Sequence, residues 1–242
     1  MRTSLLGKYF WYTVFFVFSI NLFAQEHSGT IHYAVVNDND LMDNLDTKGK
    51  DLMSGIFHHA KQLEFVLDFN EGESSFQLKK MISLQENNMN RKMAITLYGG
   101  KSKFYTNLES GYVIEQKDFL NKQFLVKKSL SIKNWKLTTE EKSISGYICF
   151  KAVGQRYSTD KEFNKTFYKV SAWYCPELSL GFGPFEAVGL PGIVLEFNLK
   201  GYSLVASKLD FTANPKITRP NKGTSITQEE FDTMINEMAK NN

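Results

Sequence analysis

Short runs of alternating apolar and polar residues dominate the chain from residue 29 onwards. Alternation with a period of two is typical of β-strands that bury one face and expose the other. Polar turn sequences such as Asn70-Glu71-Gly72-Glu73 and Lys200-Gly201 separate several of the runs. The pattern predicts strands at residues 29–37, 62–69, 75–81, 102–107, 111–117, 123–128, 134–142, 146–157, 166–175, 193–199 and 202–211.

Many short strands at this spacing predict a mainly β (α+β) fold rather than alternating strands and helices. We expect a curved antiparallel sheet, in the form of an open half-barrel or a sandwich. One or two helices, including a C-terminal one, are expected to cover it. Residues 25–242 contain no linker rich in Pro or Ser and no repeat, so they predict a single β-rich domain.

Helical patterns occur at residues 47–60 and 228–240, although Gly49 and Gly55 weaken the first. Before the second, Thr227 and Glu230 have the spacing of a capping box. The C-terminal helix carries one apolar stripe, formed by Phe231, Met234, Ile235 and Met238. This stripe predicts a helix that docks on the sheet, and a partner-binding helix is the alternative.

The segment 146–175 has a polar middle and predicts a long hairpin. Folding it about residue 162 leaves one face nearly all apolar and pairs Cys149 with Cys175. Facing strand residues have Cα atoms about 4.5–5.5 Å apart, a separation that a disulfide can bridge. We therefore expect a disulfide, with two free thiols and a catalytic redox pair as the alternatives.

The N-terminus has the features of a secretory signal peptide at residues 1–24. Arg2 and Lys8 precede an apolar run of about 11 to 14 residues, which is shorter than the ~20 residues of a spanning helix. Ala24 supplies a small residue for cleavage, and no cysteine follows the run for lipid attachment. We expect the β-rich domain to be periplasmic or secreted, with no transmembrane span after cleavage. An uncleaved N-terminal anchor is the alternative.

Composition excludes several classes of protein. The 242 residues are 42% hydrophobic and 23% charged, which excludes a disordered or collagen-like chain. The net charge of +3 is too small for a nucleic-acid-binding surface. Two cysteines cannot form a disulfide-dense scaffold.

An aromatic and glycine-rich connection of about 17 residues follows the hairpin and ends in Leu190-Pro191-Gly192, which suits a type II turn. Loops of this length are uncommon unless they are functional. The connection predicts a plug at the end of the sheet formed by Phe182, Phe185 and Leu190. A ligand or partner site is the alternative.

The hexapeptide Gly189-Leu190-Pro191-Gly192-Ile193-Val194 resembles the motif that names the GLPGLI family of exported Bacteroidota proteins. Gly183-Pro184, Ala172-Trp173-Tyr174-Cys175-Pro176-Glu177 and Gly146-Tyr147-Ile148-Cys149-Phe150-Lys151-Ala152 also resemble elements of that family. The chain departs from it in the ending Ile-Val, in Cys175 where the family commonly has Thr, and in a longer hairpin tip.

The resemblance implies work in the cell envelope or outside the cell but no particular chemistry. Members are often encoded near outer-membrane nutrient receptors, so an outer-membrane receptor or another envelope protein is an expected partner. If the family loop binds, its candidate residues are Trp173, Tyr174, Pro176, Glu177, Gly183, Pro184, Gly189, Leu190, Pro191 and Gly192.

Catalytic motifs for a nucleophilic serine, a phosphate loop, a dinucleotide site or a zinc site are absent, and no resident cofactor is predicted. All four histidines precede residue 60, and adjacent His58 and His59 are expected at the surface. A carboxylate pair drawn from Glu177, Glu186 and Glu196 is conceivable, but exposed glutamates are the simpler interpretation.

One metal hypothesis concerns the mature N-terminus. After cleavage the chain begins Gln25-Glu26-His27, whose amine, amides and imidazole form a nitrogen set suited to Cu(II) or Ni(II). An incidental histidine is the alternative, and cyclisation of Gln25 would remove the amine ligand.

The sequence is compatible with three functions, each from a different class of protein. The first is a non-catalytic envelope protein that holds a hydrophobic ligand or lipid on the concave side of its sheet. The second is an assembly factor for an envelope partner, and the third is an unrecognised enzyme. The first rests on a supply of aromatic residues that are also suited to an ordinary core: Phe65, Phe69, Phe76, Phe104, Phe124, Tyr147, Phe150 and Tyr174.

Overall fold

A computed structural model of the protein describes residues 28–38, 42–43, 45–79, 88–130, 135–159 and 165–240. The predicted signal segment at residues 1–24 and the hypothetical metal ligands Gln25, Glu26 and His27 lie outside the described residues. Within the described part, no helix has the length and apolar character needed to cross a membrane.

Every predicted strand is present, with bounds that differ by a few residues. The strands are β1 (Ser28–Asn37), β2 (Glu64–Asn70), β3 (Glu73–Leu78), β4 (Lys103–Asn107), β5 (Tyr112–Phe119), β6 (Lys122–Ser129), β7 (Lys136–Ile144), β8 (Tyr147–Thr159), β9 (Lys165–Cys175), β10 (Ile193–Leu199), β11 (Tyr202–Asp210) and β12 (Thr224–Thr227). The short strand β12 was not predicted, because four residues are too few for alternation to be recognised.

The strands form one open sheet in the order β12-β6-β5-β4-β3-β2-β1-β11-β10-β9-β8-β7. All neighbours are antiparallel except β12, which runs parallel to β6. Consecutive strands are mostly neighbours, as in hairpins. The predicted mainly β fold with a curved open sheet is therefore confirmed.

The sheet curls around the connection between β9 and β10. The ring of Phe185 lies 5.5 Å from the ring of Phe104 on β4 and 6.5 Å from that of Phe197 on β10. Four strands separate β4 from β10, and a flat sheet would place them about 24 Å apart. One side chain can contact both strands only because the sheet is strongly curved, and we call the side that faces Phe185 the concave face.

Among the described residues, three helices accompany the sheet: α1 (Thr47–Ala60), α2 (Met89–Leu97) and α3 (Gln228–Lys240). The predictions of α1 and α3 are confirmed. Asp46 caps α1 by accepting a hydrogen bond from the Gly49 backbone N–H at 2.8 Å. Gly55 is tolerated in α1 because a Cβ there would lie 2.4 Å from Asn90 Nδ2 of α2, so the missing side chain lets the two helices approach.

The capping box of α3 is formed as predicted. Thr227 N–H donates to Glu230 Oε2 at 2.8 Å, and Glu230 N–H donates to Thr227 Oγ1 at 3.2 Å. Phe231, which is 3% exposed, packs against Phe124 and Val126 of β6. The docking interpretation of this helix is therefore confirmed.

The predicted register of the β8–β9 hairpin is also confirmed. Phe150 pairs with Tyr174, Ala152 with Ala172 and Gly154 with Val170, as folding about residue 162 requires. The apolar face of this hairpin turns toward the core, where Ala152, Val170 and Ala172 are buried.

The expected disulfide between Cys149 and Cys175 is wrong. Both cysteines are buried free thiols. The β8–β9 ladder ends at the pair Phe150–Tyr174, one pair short of the cysteines, and beyond it Cys175 pairs with Ile193 of β10. Cys149 Sγ instead donates to Tyr147 O at 3.8 Å, and the interaction between the two neighbouring thiols raises the pKa of Cys149 and lowers that of Cys175.

Candidate functional site

The connection between β9 and β10, residues 176–192, fills the middle of the concave face, and we call it the plug loop. Phe182, Phe185 and Leu190 are 0%, 3% and 3% exposed. Besides the contacts with β4 and β10, Phe185 packs edge-on against Phe76 with a ring separation of 5.0 Å. The three residues are buried as predicted, but they fill the middle of the concave face rather than the end of the sheet, and their rings occupy space that a ligand would otherwise use.

Backbone hydrogen bonds hold the plug loop in one conformation. Val194 N–H donates to Phe182 O and Gly189 N–H donates to Gly181 O, both at 2.8 Å. The turn at Pro191 is tighter than the predicted type II turn, because Gly192 N–H donates to Leu190 O two residues earlier. Gly192 has a φ of 151°, and a Cβ there would lie 2.0 Å from Cys175 O.

The candidate binding residues of the family-like loop do not form one open surface. Tyr174, Gly183, Pro184, Leu190 and Gly192 are buried in the fold. Trp173 and Gly189 are half-buried, whereas Pro176, Glu177 and Pro191 are exposed. The apolar side chains of the plug loop point into the molecule, so they offer a partner little apolar surface.

Trp173 lies on the opposite, convex face of the sheet. Lys142 Nζ is 4.3 Å from the centre of the Trp173 ring and 2.7 Å from Glu196 Oε2. Glu196 therefore points away from the concave face, as expected, but it is ion-paired and its side chain is only 15% exposed. Together with exposed Glu177 and inward-facing Glu186, this placement separates the three glutamates that were considered as a carboxylate pair.

A groove of about 1000 Å³ runs beside the plug loop on the concave face, and we call it the main groove. Its two sides come from β5 and β6 and from β8 and β9, with the start of α3 at one end. Apolar wall residues include Val113, Trp135, Phe167, Val170, Val188 and Phe197. A smaller cavity of about 330 Å³ adjoins it, and both are lined by Glu115 and Arg156.

An ionic cluster lies where the two cavities meet. Glu115 Oε2 of β5 is 2.7 Å from Lys128 Nζ and 3.2 Å from Lys117 Nζ. Ser102 Oγ donates to the other oxygen of Glu115 at 2.9 Å. On the plug loop, Glu186 Oε1 accepts from Arg156 Nε of β8 at 2.6 Å.

The neighbouring cations keep both carboxylates ionised. Burial raises the pKa of Glu115, but Lys128 and Lys117 outweigh burial and hold that pKa at about 2. Burial likewise opposes ionisation of Glu186, and Arg156 and Lys128 again lower its pKa below the ordinary value. Neither carboxylate is therefore adjusted to exchange a proton near neutral pH.

One atom of this cluster lacks a partner. Glu186 Oε2 is buried and has no hydrogen bond within the described residues, although its sister oxygen is bound to Arg156. A buried carboxylate oxygen without a donor is costly. The expectation that Glu186 is an exposed, solvated glutamate is therefore wrong: its side chain is 30% exposed and faces the main groove.

Sequence reasoning missed Glu115, Lys128 and Arg156. A signal was present in β5, where Val113, Glu115 and Lys117 share the face that also bears Phe104 of β4. Charges at inward positions of a strand indicate a buried ion pair or a site. Their partners come from other strands, so the sequence alone could not identify the cluster.

The described residues contain no group of three or more His, Cys, Asp or Glu side chains suited to a metal ion. His58 is exposed as expected, whereas His59 is half-buried. No family model matches the chain. A search of curated proteins finds no match either.

Proposed function

We propose that the protein is a non-catalytic binding protein of the cell envelope that holds a small amphipathic ligand in the main groove. The observation that carries this proposal is the unpartnered Glu186 Oε2, which lies at the charged end of a groove of about 1000 Å³ with apolar walls. Ligand sites typically combine such walls with a few oriented polar groups.

The chemistry of the groove suggests the ligand. The apolar walls suit a hydrocarbon or aromatic portion, and Glu186 Oε2 needs a hydroxyl or ammonium group that donates a hydrogen bond. The groove is lined by Lys117, Lys127, Lys128 and Arg156 but also by Glu115, Glu186 and Glu229, so its charges nearly balance. A ligand with an apolar body and a neutral or cationic polar end therefore fits better than a strongly acidic one.

The ionisation of the cluster favours binding over catalysis. Glu115 and Glu186 have lowered pKa values because lysine and arginine side chains pair with them. General acids and bases instead need a pKa near the working pH. The envelope assignment rests on the signal-like N-terminus and on the resemblance to the exported GLPGLI family, and a role in delivering the ligand to an envelope partner is compatible with it.

Binding is tested with N-phenyl-1-naphthylamine, an apolar fluorophore that carries one N–H donor. We expect its fluorescence to rise on binding and long-chain alcohols or amines to displace it. Phe167→Asp, which puts a charge on an apolar and 65% exposed wall residue, should weaken binding by about tenfold or more.

Ile148→Asp is the matched control, because Ile148 is 50% exposed and does not line the groove. Glu186→Gln tests the polar end of the groove, and it should selectively weaken the binding of ligands that carry a hydrogen-bond donor. The proposal fails if the probe does not bind, or if the Phe167 and Ile148 variants bind it equally well. Independently of the probe, native mass spectrometry of protein from its own envelope fraction should show a retained ligand with an apolar body and a hydrogen-bond donor.

A further inference from the structure

A second depression, of about 610 Å³, lies on the convex face of the sheet, and we call it the basic groove. Its floor includes Lys103, Tyr105 and Gln116, which alternate along β4 and β5 with residues of the concave face. Its wall is the segment 211–223, which contacts the sheet from Asn70 of β2 to Leu125 of β6 before β12 begins. The two grooves therefore open on opposite faces of the sheet.

Five exposed cations from separate parts of the chain meet in the basic groove: Lys101, Lys103, Lys216, Arg219 and Lys222. Two carboxylates, Asp68 and Asp118, also line it. These five cations exceed the two carboxylates by three charges. Lys117 reaches the same groove but is paired with Glu115.

The cations have no counter-charge of their own. Across the described part of the chain, none of the five forms an ion pair within 4.0 Å of a carboxylate oxygen. Asp68 accepts a hydrogen bond from Thr30 Oγ1 at 2.7 Å, and Asp118 accepts one from Gln123 Nε2 at 3.2 Å. Both carboxylates thus bind neutral partners rather than the neighbouring cations.

The wall that carries three of the cations is anchored at several points. Gln116 Nε2 donates to Lys222 O at 3.0 Å, and Asn70 Nδ2 donates to Asn214 Oδ1 at 2.9 Å. Between these anchors Ile217 packs on the cluster of Tyr105, Ile114 and Leu125. The segment therefore holds like charges together, and their repulsion is relieved when an anion binds between them.

We propose that the basic groove binds a phosphate-bearing ligand, either a free phosphorylated compound or the head group of a lipid. Lys and Arg supply the charge, and the amides of Gln77, Gln116 and Asn221 supply neutral donors for phosphate oxygens. This site is independent of the amphipathic ligand proposed for the main groove, because no charged residue other than Lys117 lines both.

Two probes distinguish the sources of phosphate. Pyrophosphate binding is measured by titration calorimetry at low salt, and vesicles of phosphatidylcholine with and without phosphatidylglycerol are tested by co-sedimentation. The triple variant Lys216→Gln, Arg219→Gln and Lys222→Gln should weaken whichever probe binds by about 100-fold, since each cation near an anionic surface contributes about a fivefold effect.

The matched control is Lys48→Gln, Lys50→Gln and Lys61→Gln, which removes the same charge from exposed positions of α1 and the residue after it. If the two triple variants weaken probe binding equally, the effect depends only on net charge and the proposal is overturned. Failure of both probes to bind the unaltered protein would overturn it as well. Binding of the naphthylamine probe in the main groove should be the same in both variants, so the two proposals succeed or fail separately.

Discussion

At the scale of single residues, the concave face combines packed aromatic rings with a buried ion pair. Aromatic rings around Phe185 form its centre, and Glu115 is paired with Lys128 beside them. A buried charge is tolerated because oppositely charged groups and hydrogen-bond donors surround it. Glu115 meets this condition, whereas Glu186 leaves one oxygen without a hydrogen bond, and this is the oxygen that we propose a ligand binds.

Glu115 should make stability depend on pH. Its pKa in the folded protein, about 2, lies below the ordinary 4.5, so the ion pairs stabilise the fold above pH 4.5 and lose that effect as pH falls toward 2. Between about pH 6 and about pH 3, urea unfolding should report a loss on the order of 2 kcal/mol from this group. Glu115→Gln should make the free energy of unfolding less dependent on pH, whereas Glu109→Gln, at an exposed position, should leave the dependence unchanged. An equal pH dependence in the unaltered protein and both variants would show that Glu115 is not the group responsible.

At the scale of elements, the plug loop acts as an interior part of the fold rather than as a surface connection. Its hydrogen bonds to β10 and its buried rings explain why a chain of this length needs no secondary structure of its own. A substitution such as Leu190→Asp would place a charge at a position that is 3% exposed. This variant is expected to destabilise the fold, so a loss of partner binding by it would not identify a binding surface.

Gly192 is the position of the loop that tolerates change least. Gly192→Ala should lower the free energy of unfolding by more than about 3 kcal/mol, because its Cβ would lie 2.0 Å from the backbone oxygen of Cys175. Gly72→Ala is the control, since Gly72 also has a positive φ but nothing within 4 Å of its Cβ position. It should cost about 1–2 kcal/mol. Chemical denaturation measures both, and similar losses would show that steric contact is not the cause.

At the scale of the whole molecule, the curvature of the sheet depends on contacts made across its middle. Phe185 joins β2, β3 and β4 to β10, and the Arg156–Glu186 ion pair joins β8 to the plug loop. Both halves of the sheet therefore share one core. We expect them to unfold together.

Phe185→Ala tests this cooperativity. Removing the ring should lower the free energy of unfolding by about 3–5 kcal/mol. The transition should remain single when followed by far-ultraviolet circular dichroism and by fluorescence of Trp135 and Trp173, which lie on the β7–β10 side. Phe167→Ala, at a 65% exposed position, should cost much less. Two separate transitions in the unaltered protein would contradict the shared core.

Several elements could be predicted because their signals are local. Alternation located the long strands, the Thr227–Glu230 spacing located the start of α3, and the polar middle of residues 146–175 set the register of β8 and β9. Helix α2 gave no such signal, because only Ala94 of its residues is buried and its stripe is too short to recognise. Its stability comes from packing on α1 rather than from its own pattern.

The sequence by itself determined the mainly β fold, the paired strands and the role of the plug loop, because strand alternation and turn chemistry act over a few residues. Only the tertiary structure decided the rest. The ladder's end before Cys149 and Cys175 left two free thiols, and the curling of the sheet brought Glu115, Lys128, Arg156 and Glu186 together. The same folding gathered the exposed cations of the basic groove. Such clusters depend on distances between residues far apart in the chain, which no local pattern encodes.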